Sequence, residues 1–414
     1  MKIRFTLLLG VLISFNGIAQ IKILFDATKA EMCSNADWVI DADTHNIFFS
    51  NSTHLPYASS GTGQSNPQRI PTPSQTGITA STVETYWQGA LSNWAIDCVN
   101  QGYVVETLPF NSQITYGNSA NVQDLSNYKV FVVDEPNIQF SASEKAAIVN
   151  FVKNGGGLCM ISDHSVSDRN NDGWDSPMIW NDLMTTNTVQ ANPFGIAFDT
   201  GTSTGNFSLT STGIANLPTN PVLHGPKGNV TQVKWSNGTR MTLNTTQNPS
   251  VQGLIFKSGT TGTTDVMVAW ETYYAGKIVA FGDSSPMEDG SGDPNDSLYN
   301  GYTGDANGNH QRVLVNAIVW LASQSLGNAT FDNSQTNVVI SPNPIRGNEL
   351  TLYFHSAVSN NATFVIYDSL GRMVKTEAIT NEIQTINCSG FTSGVYFGKV
   401  ISEGNTKTVK FIVE

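Results

Sequence analysis

The sequence predicts an α/β fold. A parallel sheet flanked by helices carries a β-rich insertion at about 203–270 and is followed by a small C-terminal all-β sandwich. Three observations carry this expectation. Strand-length apolar runs alternate with helical patterns between residues 21 and 161 and resume at 277, the rhythm of βαβ units. Residues 203–270 break that rhythm with Thr/Gly/Asn-rich, short alternating segments. Beyond residue 325 the chain turns to short alternating strands separated by turn signals.

The elements follow in order. Lys2 and Arg4 precede the apolar stretch Phe5 to Phe15, and Gly17-Ile18-Ala19 supplies small residues, so residues 1–19 read as a secretory signal peptide cut before Gln20. Ile21 to Phe25 is a first strand, and a polar loop runs to residue 80. Ser81 with Glu84 offers a capping box for a helix from Thr82 to Asn100, with Val83, Trp87, Leu91, Trp94 and Ile96 at helical spacing. Strands are expected at Tyr103 to Leu108, Tyr128 to Val133 and Gly157 to Ile161, the last an apolar run typical of buried parallel strands. A helix is expected from Ser141 to Lys153, stopping at Asn154-Gly155. Lys277 to Phe281 restores the α/β pattern, and a last helix spans Gln311 to Ser323. This cargo region, 20–325, is joined by a Gly/Asn/Asp-rich linker at 326–337 to a β-sandwich at 338–414. Its expected strands are Val338 to Ile340, Glu349 to Phe354, Thr363 to Tyr367, Gly394 to Ile401 and Thr406 to Val413.

Composition narrows the function. The chain has 414 residues, enough for two or three domains and a sizeable core. Only 13% of residues are charged, and Asp+Glu outnumber Lys+Arg by 33 to 21, giving a net charge of −12. Such a surface repels phosphate backbones, so nucleic acid is excluded as a partner. No later segment reaches 18 consecutive apolar residues, so no transmembrane anchor is expected in the mature chain. Cys33, Cys98, Cys159 and Cys388 are too few and scattered for a disulfide scaffold. Cys33 with Cys98 is a candidate pair without support from spacing, and Cys159 reads as a small buried hydrophobe.

Chemistry is expected where parallel strands end, because ligands of open α/β sheets bind beyond the strand carboxyl ends. Each trusted strand ends in an acid: Asp26, Asp134 with Glu135, Asp163 and Asp283. His164 adjoins Asp163, giving Ser162-Asp163-His164. Gathered carboxylates raise one another's pKa unless a cation neutralises them, so a divalent metal at the crevice is one resolution and helix capping is the other. In the catalytic reading Asp163 or His164 is general base or metal ligand and Ser162 a nucleophile. Asp26 and Asp283 are then ligands or acid/base partners.

Downstream, Asp168-Arg-Asn170-Asn-Asp172-Gly173 matches the first half of a calcium loop. Position twelve is Ile179 and not Glu, so Asp175 is the candidate for the missing ligand; an ion-free Asn/Asp turn is the alternative. Asp289 to Asn309 offers similar loop oxygens, and Asp37-Trp38, Asp41, Asp43 and His45 combine carboxylates, an imidazole and an indole after the first strand. Trp174, Trp180, Trp270, Tyr273 and Tyr274 are candidates for stacking on sugar rings or for the core. Gly-x-Ser-x-Gly, His-Glu-x-x-His, phosphate-loop and dinucleotide motifs are all missing.

Two resemblances refine this. Ile340-Ser-Pro-Asn-Pro344, Val365-Ile-Tyr-Asp-Ser-Leu-Gly-Arg372, Ser393-Gly-Val-Tyr-Phe397 and Lys407-Thr-Val-Lys-Phe411 resemble the C-terminal sorting domain of the type IX secretion system. The resemblance implies contact with that machinery, export across both membranes of a Bacteroidota-type cell, and release or surface attachment. Phe151-Val-Lys-Asn-Gly-Gly-Gly-Leu158, Gly276-Lys-Ile-Val-Ala-Phe-Gly-Asp283 and His310-Gln-Arg-Val-Leu-Val-Asn-Ala-Ile-Val-Trp320 are similar to class I glutamine-amidotransferase-like domains, particularly trehalose-utilisation-like ones. That likeness implies a flavodoxin-like sheet. It does not imply glutaminase activity, since Cys159 falls mid-strand, Ser162 is nearest the nucleophile turn, and no His-x-Glu follows Gly276. The expected function is a secreted hydrolase acting on an extracellular polymer, polysaccharide first. The alternative is a non-catalytic, calcium-dependent glycan-binding or surface module on the same fold.

Overall fold

The computed structural model describes residues 20–31, 37–41, 48–50, 52–54, 56–57, 74–110, 112–201, 208–257, 259, 261–292, 299–323, 338–354, 362–402 and 405–414. The signal segment 1–19, Cys33, Asp43, His45, part of the 289–309 loop and the linker 326–337 lie outside them. The chain divides into two compact units, Met1–Leu326 and Gly327–Glu414.

The first unit is built on a ten-stranded mixed sheet. Its parallel half comprises β1 (Lys22–Asp26), β2 (Val104–Leu108), β3 (Val130–Asp134) and β4 (Gly157–Ile161). The antiparallel half adds β5 (Ile196–Phe198), β6 (Met241–Leu243), β7 (Gln252–Phe256) and β8 (Val266–Tyr273). Between the halves lies β9 (Gly276–Phe281), parallel to β4 on one side and antiparallel to β8 on the other. The order is β2-β1-β3-β4-β9-β8-β6-β5, with β7 also paired to β8 and, on its other edge, to the short tenth strand Gly213–Ile214. The first five positions follow the flavodoxin-like order, whose direction reverses between β1 and β3. The segment read as an insertion therefore extends the sheet, because β6, β7 and β8 pair into it.

Alternation along the buried strands sends side chains to two cores. Ile23, Phe25, Val130, Val132, Cys159, Val279 and Phe281 face Trp94 and Ile318, from α1 (Ser92–Asn100) and α4 (Asn309–Ala322). Leu24, Phe131, Val133, Leu158, Met160 and Ile278 face Ile148 and Trp180, from α2 (Ala142–Lys153) and α3 (Ser176–Thr186). Cys98, Cys159 and Cys388 are buried and free.

Three local readings change. The helix expected from Thr82 is a single 3₁₀ turn, Glu84–Tyr86, followed by the shorter α1. The cause is Gly89, whose Cβ would lie 2.0 Å from the Val39 carbonyl oxygen. Here the backbone crosses residues 37–40, and the N–H groups of Gly89, Ala90 and Leu91 go to Ile40, Asp37 and Val39 instead of up a helix. The capping box forms at α2, where Ser141 Oγ accepts from Glu144 N at 3.3 Å and Glu144 Oε2 from Ser141 N at 2.8 Å. Finally, α3 was not anticipated; Asp175 caps it and Pro177 sits in its first turn.

The second unit is a sandwich of a three-stranded and a four-stranded sheet. Leu350, Leu352, Phe364, Ile366 and Phe411 fill its core. Met373–Ile379 and Ile383–Asn387 are two strands the sequence did not show. The former is an edge strand, mostly exposed and without apolar alternation.

Candidate functional site

Strand register sets which acids meet. Asp134, Ile161 and Phe281 are level across β3, β4 and β9. Asp163 and Asp283 therefore both sit two residues past the same row, at the carboxyl edge. Phe25 is level with Val132, which puts Asp26 in the row of Val133, on the α2 face. Asp134 lies one residue on and faces the α1–α4 side.

On that edge five carboxyl groups gather: Asp134, Glu135, Asp163, Asp283 and Glu288, each at most 5% exposed. Glu135 occupies a left-handed turn at φ 43°, unusual for a residue with a side chain. Its carboxylate accepts from Arg169 Nε at 3.0 Å, Ser167 Oγ at 3.1 Å and Ser284 Oγ at 2.9 Å. The Arg169 guanidinium lies 4.4 Å over the Trp38 ring and reaches to 3.7 Å from Asp163. The Trp38 indole N–H donates to Glu288 Oε1 at 3.2 Å. Asp283 accepts from Ser236 N at 2.6 Å and Ser285 N at 2.9 Å. Both oxygens of Asp134 are buried without a hydrogen-bond partner among the described residues.

Burial dominates the electrostatics, since a desolvated carboxylate is unfavourable. It raises Asp283 to about 7 against the donors of Ser285 and Ser236. It raises Glu288 to about 8 against those of Tyr299 and Trp38. Asp163 is held well above the usual range by burial and then by the Glu135 and Asp283 charges, with Arg169 opposing. Burial, then Glu135, Glu288 and Asp283, does the same to Asp134.

His164 is the open member of this set, its side chain 24% exposed beside a 5% exposed Asp163 side chain. Its Nδ1 lies 2.8 Å from the Ser165 carbonyl oxygen, which assigns a proton to Nδ1. Nε2 is 3.5 Å from Asp163 Oδ2. Ser162 is fully buried; its hydroxyl donates toward Asp163 O at 3.3 Å and accepts from Ser176 Oγ at 3.2 Å. Asp26 belongs to a neighbouring group. Burial raises it to about 6 against Lys29, and Lys29 Nζ is clamped by Glu144 at 2.8 and 2.9 Å. The site thus unites Asp163, His164 and Asp283, with Asp26 one strand aside.

In the Asp168–Gly173 turn the carboxylates accept backbone N–H groups. Asp168 takes those of Asp172 and Gly173 at 3.1 and 2.7 Å, and Asp172 takes that of Trp174 at 2.8 Å. Asp175 accepts from Val166 N at 2.6 Å and Met178 N at 3.0 Å. Asn170 donates to Asp172 Oδ2 at 3.0 Å, while its own Oδ1 is buried and unpartnered among the described residues. Among those residues no three His, Cys, Asp or Glu side chains are arranged to hold a metal ion. Of the aromatic candidates, Trp180 and Tyr273 are core and Tyr274 is 68% exposed, at the hairpin joining β8 to β9.

Sequence reasoning missed Arg169, Glu288 and Ser284 as parts of the site. Arg169 was legible as a lone cation inside the acidic run Asp168–Asp172. Glu288 carries no motif and is placed by the Trp38 indole and the Tyr299 N–H, both distant from any pattern the sequence shows.

Residues 339–414 match the secretion system C-terminal sorting domain, so the second unit is a sorting domain and the chain is exported, to the cell surface or beyond. Among the described residues no helix is long and apolar enough to cross a membrane. No curated protein matches the chain. Two solved structures are similar at 11% identity. The mmIFT52 N-terminal domain has a TM-score of 0.39, covering 60% of this chain and 97% of that domain. A ThuA-like protein from Parabacteroides merdae has a TM-score of 0.36, covering 73% of this chain and 90% of its own. Deleting residues 338–414 is expected to strand a folded α/β unit in the periplasm, checked by fractionation and limited proteolysis. Undiminished release of the truncated chain outside the cell would contradict that role.

Proposed function

We propose that the α/β unit is a secreted hydrolase acting on an extracellular polymer, polysaccharide first, or on its fragments, at the carboxyl edge of β3, β4 and β9. The observation that carries this reading is the Asp163–His164 pair, an enclosed carboxyl beside a half-open imidazole. Burial and neighbouring acids hold the Asp163 carboxyl well above the usual carboxylate range, which favours its protonated form and suits it to donate a proton to a leaving group. With its proton on Nδ1, His164 presents Nε2 to abstract one from water. Arg169, stacked on Trp38 and held by Glu135, positions the pair and supplies positive charge where negative charge develops. Ser162 is left without a nucleophilic role because its hydroxyl is enclosed. The likeness to trehalose-utilisation-like domains of the glutamine-amidotransferase class fits this placement, because the Gly276–Asp283 segment delivers Asp283 to the same edge. The test is a screen of the purified protein against a polysaccharide and ester panel, with and without chelator. Activity above that of the His164→Ala protein supports the reading, and no turnover on any substrate opposes it.

Calcium at the Asp168–Gly173 turn is proposed on one observation, the buried and unpartnered Asn170 Oδ1. An ion bound only to the native state stabilises it by mass action. Chelation is then expected to lower the melting temperature, and Asp172→Ala to abolish the response. A melting temperature indifferent to chelator and to added calcium assigns the turn to its backbone bonds alone.

A further inference from the structure

We infer that the groove between the loop after β2 and α2 is a subsite for a neutral saccharide chain. The groove has a volume of about 610 Å³ and is lined by Gln113, Tyr116, Ser143, Ala147 and Asn150 among others. That volume lies within the roughly 300–1,000 Å³ of small-molecule sites.

Charge decides the ligand class. Among the described residues Glu144 is the single charged side chain of the lining, and both its oxygens are occupied by Lys29 Nζ at 2.8 and 2.9 Å. Among the described residues no cation lines the groove, so a phosphate, sulfate or uronate would be desolvated there without compensation. The remaining lining mixes neutral donors and acceptors with apolar surface. The side-chain amides of Gln113 and Asn150 make no hydrogen bond with other described residues, so their donors and acceptors are available to a ligand. The Tyr116 ring is steadied by Phe151, edge-on with centroids 6.3 Å apart. An aromatic ring with amides around it suits a pyranose, whose C–H face is apolar and whose rim is hydroxyl.

Position ties the groove to the candidate site. It runs along α2 from Ser141, at the carboxyl edge, to Asn150 and to Tyr116, whose ring meets Phe151 in the last turn. Its Glu144 holds Lys29, whose carbonyl accepts from Asn137 N at 2.8 Å, and Asn137 Nδ2 donates to the Glu135 carbonyl at 2.7 Å. Glu144, Lys29 and Asn137 thus connect the groove, on the α2 face, to Glu135, the residue that anchors Arg169. This inference rests on the polysaccharide reading for its substrate and deepens it by naming neutral chains.

The test is native gel electrophoresis of the full chain in gels containing soluble neutral polysaccharides (mixed-linkage glucan, galactomannan, arabinoxylan) or anionic ones (alginate, polygalacturonate). Retardation is expected with at least one neutral polymer and with neither anionic one. Tyr116→Ala and Asn150→Ala are expected to weaken it at least tenfold, Asn150→Ala with an unchanged melting temperature, while His164→Ala leaves it intact. Failure of every neutral polymer to retard the chain overturns the inference, as does retardation that both substitutions leave unaltered or that only anionic polymers produce. Binding without turnover would keep the groove and remove the hydrolase. Turnover whose KM neither groove substitution moves would do the reverse.

Discussion

His164→Ala is expected to reduce turnover by roughly 10²–10⁴, the usual share of a positioned acid or base, with little change in KM. Asp163→Asn is expected to do the same, because an amide keeps the shape of the carboxyl but has no proton to give. The two effects should not add in the double variant, since the groups lie 3.5 Å apart and serve one step. Stopped assays on whichever substrate the screen selects provide the measurement, with circular dichroism to confirm folding. A loss below tenfold in both single variants would make the pair scaffold.

Asp134→Asn is expected to stabilise the protein at pH 8 by on the order of 1–3 kcal/mol, a shift of several degrees in melting temperature. The sign follows from linkage. Asp283, raised to about 7, and Glu288, raised to about 8, hold protons in the folded chain that the unfolded chain releases near pH 4. Asp134 and Asp163 are raised in the same direction. Stability from these groups is fully present below about pH 4 and is lost as pH rises toward 8, at up to about 1.36 kcal/mol per group and pH unit. The asparagine at 134 removes one such loss without removing a hydrogen bond, since both Asp134 oxygens lack one among the described residues. The gain should shrink toward pH 5. Thermal melts between pH 5 and 9 check this, and equal melting temperatures for the two proteins at pH 8 would show that Asp134 carries no buried-charge penalty.

Much of this architecture is readable before any coordinates. The apolar runs at 21–25, 128–133, 157–161 and 277–281 announce four parallel strands because both faces of each are covered. Acids at their ends announce a polar edge. What stays hidden depends on contacts far apart in sequence. Gly89 breaks a well-patterned helix because residues 37–40 lie against it. Asp26 looks like a member of the cluster, yet a shift of one row sends it to the opposite face, toward Lys29 and Glu144. Strands of the 203–270 region pass for a separate insertion because alternation reveals a strand without revealing its partner. Arg169 escapes notice because its role depends on Trp38 and Glu135, which approach from two other loops.

The placement of β9 governs the order in which this chain becomes a protein. Its partner across Lys277↔Gly157 is made long before it, and until β9 arrives β4 has an open edge. Such distant pairing is slow, because a long loop must close before the contact rewards it. A nascent or translocating chain that stops short of residue 281 thus exposes adhesive strand edges, on β4 and on β8 alike, that would pair with any neighbour. Closure of the sheet and docking of α4 come only as residue 322 is delivered, just ahead of the sorting unit.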